Sequence, residues 1–147
     1  MRKKSVVALV VVVVLIAIQF VPVNRSNPPV RGEINAPPPV AEVLRRSCYD
    51  CHSNETHWPW YSHVAPVSWM LADHVQEARG HLNFSTWGEL SDEERSGAVY
   101  EIWEQISEGK MPLRSYLIMH PDARLSDRAV ETLRAWSDSF HEKDVSD

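Results

Sequence analysis

An apolar run decides how much of this chain is left to build a core. Val6 to Ile18 contain no polar side chain, Arg2, Lys3 and Lys4 precede them, and through Val23 only Gln19 interrupts the stretch. At about 1.5 Å per helical residue these positions reach ~27 Å, close to the ~30 Å of a hydrocarbon core. The run ends Phe20-Val21-Pro22-Val23-Asn24, without the small residues that a signal-peptidase site needs. Residues 1–23 are therefore expected to form an uncleaved signal anchor. The positive-inside rule keeps the basic end in the cytoplasm and turns the rest toward the periplasm or cell exterior.

From Asn24 to Val40 the chain is polar and holds Pro28, Pro29, Pro37, Pro38 and Pro39. Prolines disfavour helix and favour extended polyproline, so residues 24–40 read as a linker of up to ~50 Å between the membrane and a domain at 41–147. That domain carries ten basic against nineteen acidic residues, a net charge of −9. Such a balance excludes nucleic acid as a natural partner and favours basic proteins.

After Ala41 strand signals are nearly absent and helical spacing recurs, which predicts an all-α domain. A short segment, Ala41 to Arg46, leads into two cysteines and offers Val43 and Leu44 to a core. A second helix is expected over Val67 to Arg79, from Pro66 to a stop at Gly80. A third follows Ser91-Asp92-Glu93-Glu94, which matches a capping box, carries the stripe Ala98, Val99, Ile102, Trp103 and Ile106, and ends at Gly109. A fourth starts at Ser126 and runs to about His141, with Leu125 and Val130 placed as a hydrophobic staple.

Residues 47–52 read Ser-Cys-Tyr-Asp-Cys-His. Two thiols one helical turn apart can form thioethers with the two vinyl groups of a haem, and the next side chain, His52, projects onto the iron. Its other ring nitrogen is expected to donate to a backbone carbonyl. Three other chemistries use the same residues. A thioredoxin-like redox pair needs a strand ahead of it, a zinc site needs four spaced ligands, and a disulfide gives His52 no role. Cys48, Cys51 and His52 thus point to one covalently bound haem c per chain.

The function turns on the other side of the iron. Met111 stands in a loop just beyond the third helix, braced by Pro112, and is the candidate sixth ligand; its alternative role is to fill a gap in the core. His57, His63, His74, His81 and His120 compete with it. Trp58, Trp60, Tyr61, Trp69 and Trp87 are expected to wall the pocket, with an indole N–H or the Tyr61 hydroxyl toward a propionate. Arg79 or Arg114 are further candidates for that contact.

Ser47 to Leu71, His81 to Trp87 and Lys110 to Ser126 resemble the small bacterial family of haem-binding domains with a Cys-x-x-Cys-His motif. That resemblance covers nearly all of residues 41–140 and implies haem c at Cys48 and Cys51, His52 as ligand and Met111-Pro112 as the family's Met-Pro loop. More widely the chain resembles class I cytochromes c, in which a last helix packs across the first; here Val43 and Leu44 would meet Leu133 and Trp136. The Trp-Pro-Trp-Tyr loop departs from that pattern. The expected function is one-electron transfer to redox partner proteins of the cell envelope, a carrier rather than an enzyme. A haem sensor or peroxidase-type enzyme with an open sixth site, or an accessory protein that delivers haem, are the alternatives.

Overall fold

The computed structural model describes residues 2–144, and among them seven α-helices and no strand. The first, α1 (Arg2–Ala17), continues through a 3-10 turn to Phe20. Its valines are all exposed, because nothing in the protein covers them. Within it Lys3–Phe20 is long and apolar enough to cross a membrane.

The domain is built on α2 (Pro38–Ser47), α3 (Tyr49–His52), α4 (Val67–His81), α5 (Asp92–Ser107), α6 (Arg114–Met119) and α7 (Asp127–Asp144). The helix before the cysteines starts three residues earlier than its spacing suggests. Pro38 and Pro39 fill its first turn, where a missing N–H costs nothing. On α5 both halves of the capping box are present, Glu94 N–H to Ser91 and Ser91 N–H to Glu94. Its other end is a Schellman turn: Gly109 has φ +66°, its N–H reaches Ile106 O, and the Lys110 N–H reaches Gln105 O. Gly80, by contrast, stays inside α4, which ends only as Leu82 becomes extended. The short helix α6 went unread in the sequence.

One apolar cluster joins the helices. Val43 and Leu44 of α2 meet Leu133 and Trp136 of α7 as expected, with Val99, Ile102 and Ile106 of α5 alongside. Leu44 and Leu133 have no exposed surface at all.

The proline-rich stretch differs from the free tether expected of it. Residues 22–30 lack regular structure, as prolines dictate, but the stretch lies along the domain. Arg31 and Gly32 N–H groups both reach Ser85 O, Ile34 N–H reaches Phe84 O, and Ile34 enters the core. Gly32 crosses Gly88 so closely that a Cβ on it would lie 2.8 Å from the Gly88 Cα. The physical reason is that Val30 to Ala36 carries backbone donors and an isoleucine among the prolines, and the 84–88 loop has partners for both.

Leu133→Ala should lower stability by about 2–5 kcal/mol, since the deleted methyls leave a cavity between three helices. Urea denaturation followed by far-ultraviolet circular dichroism measures it. A loss below about 1 kcal/mol would mean that α7 does not pack as described.

Candidate functional site

The cysteine pair sits where α2 gives way to α3. Cys48 breaks the helix at φ −127°, and then Cys51 and His52 N–H groups both return to Cys48 O, at 3.1 and 2.9 Å. This winds the motif into one tight turn and brings both sulfurs to its vicinity as free thiols. Burial pushes Cys48 up to about 12, with Cys51 adding to the shift, and Cys51 up to about 11. Both are protonated at neutral pH.

His52 is held from two directions by the segment after α4. Its Nδ1 lies 3.1 Å from Leu82 O, and its own carbonyl accepts from the Phe84 N–H at 2.8 Å. A carbonyl cannot donate, so Nδ1 carries the proton and Nε2 keeps a lone pair. Burial lowers the His52 pKa despite the Leu82 hydrogen bond, so the ring stays neutral. Phe84 supports the arrangement from below. It is fully buried, stacks on Tyr49 of the motif at 5.2 Å and touches the His52 ring at 6.3 Å between centroids.

Asp50, between the two cysteines, organises the other flank. Its carboxylate accepts from the His57 backbone and ring, and from the Tyr116 hydroxyl at 2.8 Å. Tyr116 stacks on His120 at 4.2 Å, and His120 Nε2 meets the Tyr61 hydroxyl at 2.6 Å. These groups, with Pro59, Leu71 and Val75, line a hollow beside Cys51. Motif spacing could not reveal Asp50 or Tyr116, because the intervening positions of Cys-x-x-Cys-His carry no required residue.

The other candidates divide by place. Met111 is half-buried at the entry to the segment that Tyr116 ties to the motif. His57 and His120 reach the hollow, each already with a partner; His63 and His81 are exposed at the ends of their elements and His74 is half-buried on α4. Arg79 is committed elsewhere. Its guanidinium donates to Ser53 O, Ser26 O, Asn27 Oδ1 and Thr56 Oγ1, clamping the proline-rich stretch to the motif loop. These four bonds engage the guanidinium that the sequence offered as one candidate for a propionate contact.

Residues 13–139 match the family model described as a haem-binding domain. The chain belongs to that family of haem-binding domains. No curated protein and no solved structure matches it.

The haem-binding domain's own residues fit the ligand. A neutral imidazole whose Nδ1 carries the proton suits iron, and two uncharged thiols, Cys51 of them beside the hollow, suit a porphyrin edge. Among the described residues, no three His, Cys, Asp or Glu side chains cluster as a metal site. Among the described residues, two buried side-chain polar atoms lack a partner: Ser47 Oγ, next to Cys48 in the chain, and Trp58 Nε1. An unpaired buried indole N–H fits a carboxylate, as the sequence suggested for this loop.

Arg79→Ala should free residues 26–29. Loss of charged hydrogen bonds costs about 1–3 kcal/mol, and amide exchange should accelerate there while α5 is unchanged. Equal exchange in both chains would show that the clamp does not hold the stretch.

Proposed function

We propose that this haem-binding domain is an anchored c-type haem protein that passes single electrons on the outer face of the cytoplasmic membrane. One haem would be joined through Cys48 and Cys51 and ligated by His52 Nε2, with Met111 as the sixth ligand. The observation that carries this reading is the Nδ1–H to Leu82 contact, which fixes the imidazole in the tautomer a ligand needs. Attachment would add the Cys48 and Cys51 S–H bonds across one vinyl double bond each, forming a C–S bond with the hydrogen on the neighbouring vinyl carbon, so that no oxidant would be consumed. Free thiols are what that addition requires.

Bound there, haem supplies an iron couple that gains and loses one electron. The chain's residues do the rest. Leu71, Val75 and Tyr116 exclude water beside Cys51, and Trp58 Nε1 is a donor for a propionate. A Met111 thioether opposite His52 would raise the reduction potential. The Lys3–Phe20 helix supports anchoring, and Arg2 to Lys4 at its start support a cytoplasmic beginning. The domain's net negative charge suits basic redox partners of the cell envelope.

One observation favours a second reading. The Tyr61–His120 pair beside Cys51 is an acid–base pair of the kind that a sensor or peroxidase-type enzyme places over an open iron.

Optical spectra separate the two. The reduced protein should resist carbon monoxide, and Met111→Ala should open it to that ligand. Ready binding by the unsubstituted protein, with an unchanged spectrum in the variant, would overturn the carrier reading. Acidified acetone should leave haem on the polypeptide, and a Cys48→Ser, Cys51→Ser double variant should release it. Extraction from the unsubstituted protein would disprove covalent attachment.

A further inference from the structure

Gln19, the only polar interruption of the apolar run, is not idle. Its side-chain amide pairs with the backbone of Ala65 in both directions, Ala65 N–H to Oε1 at 2.9 Å and Nε2 to Ala65 O at 3.2 Å. A few residues on, Arg25 donates to Ser62 O. The end of the long helix is therefore fastened to the 60–67 loop, and whatever depth Gln19 has, Ala65 shares.

That loop is apolar and uncovered. Trp60 is 72% exposed and Val64 44%, and Val67 is exposed beside them; Phe20 at the helix end is 81% exposed. Val64 and Val67 lie within ~7 Å of chain from Ala65, so these side chains gather about the same helix end. None of them lines the hollow beside Cys51.

Charge is segregated to match. No acidic residue occurs from Ile18 to Gly32 or from Thr56 to Ala72, and Arg25 and Arg31 are the charged side chains of the two stretches; all nineteen acidic residues of the domain lie elsewhere. An acidic domain has kept its negative charge off one face.

We infer that the face bearing Phe20, Trp60, Val64 and Val67 seats on the lipid bilayer, with Gln19 as the pin that sets its depth. This rests on the anchoring proposed above and extends it: the domain lies on the membrane surface instead of standing off on a leash. The occupant is lipid because the face is continuous with the end of a helix of membrane-spanning length. It also combines an exposed tryptophan with aliphatics and arginines, the composition that settles at the headgroup boundary.

The test uses the full haem-loaded chain in nanodiscs of equal parts phosphatidylethanolamine and phosphatidylglycerol. Nitroxide labels go on Val64→Cys, on Val12→Cys within the helix and on Glu131→Cys on α7, with the unsubstituted chain labelled in parallel as background. Collisions with oxygen report lipid, and collisions with a water-soluble nickel chelate report solvent. The label at position 64 should meet nickel several-fold less often than the label at 131 and oxygen more often, and Gln19→Ala should raise its nickel contact. If 64 is as open to nickel as 131 while 12 reports hydrocarbon, the anchor stands and the seating is wrong. If 12 is itself open to nickel, the anchoring fails and the seating with it. A label at 64 shielded from both quenchers would mean a protein cover and would overturn the lipid assignment.

Discussion

The hydrogen bond from the His52 ring to Leu82 O ties the motif turn to the end of α4. His52 closes the motif turn, and Leu82 is the first extended residue after α4. Joining them fixes the point at which α4 must end, which explains why Gly80 does not stop it: the helix continues until Leu82 can present its carbonyl. The return bond from Phe84 N–H to His52 O then sets the ring of Phe84 under Tyr49 and His52, where it is buried. A ligand's orientation and the packing beneath it are thus one arrangement. A change that moved the 82–84 segment would disturb the imidazole and the core together.

The same segment explains why the proline-rich stretch is part of the fold. Once Phe84 and Ser85 are pinned by the motif, their carbonyls face outward with acceptors to fill, and the N–H groups of Arg31, Gly32 and Ile34 fill them. The approach is tight enough that both crossing points are glycine, Gly32 and Gly88. Arg79 completes the attachment with four bonds whose acceptors come from residues 26–27 and 53–56. Arginine suits this task because its rigid fork serves several acceptors at once, where lysine would be a single point.

Legibility in the sequence followed the range of the interactions. The ends of α5 were readable because the capping box and the Schellman glycine act within a few residues. The α2–α7 contact agrees with the apolar spacing of both helices. The helix α6 was not readable: six residues, Arg114–Met119, without a side-chain cap, are held by a distant partner, Asp50, through Tyr116. The proline-rich stretch misled for the same reason. Its composition describes the isolated chain correctly, and its tertiary partners lie some fifty residues on. At the site, the motif announced Cys48, Cys51 and His52, and also the carbonyl partner that His52 has. The roles of Asp50, Tyr116 and Arg79 depend on contacts that no local pattern encodes.

The charge state of the site narrows what it can hold. Burial raises Cys48 to about 12 and Cys51 to about 11, so both thiols favour their uncharged form. His52, lowered by burial, is neutral too. The motif therefore assembles three uncharged, buried groups, and the loop that follows it holds an unpaired buried indole N–H. On the reading proposed above, a porphyrin would meet these requirements together: its iron would take the neutral nitrogen, and a carboxylate at its edge would suit the orphaned donor. Haem satisfies what the folded chain leaves unpaired, and that physical match agrees with the family to which the chain belongs.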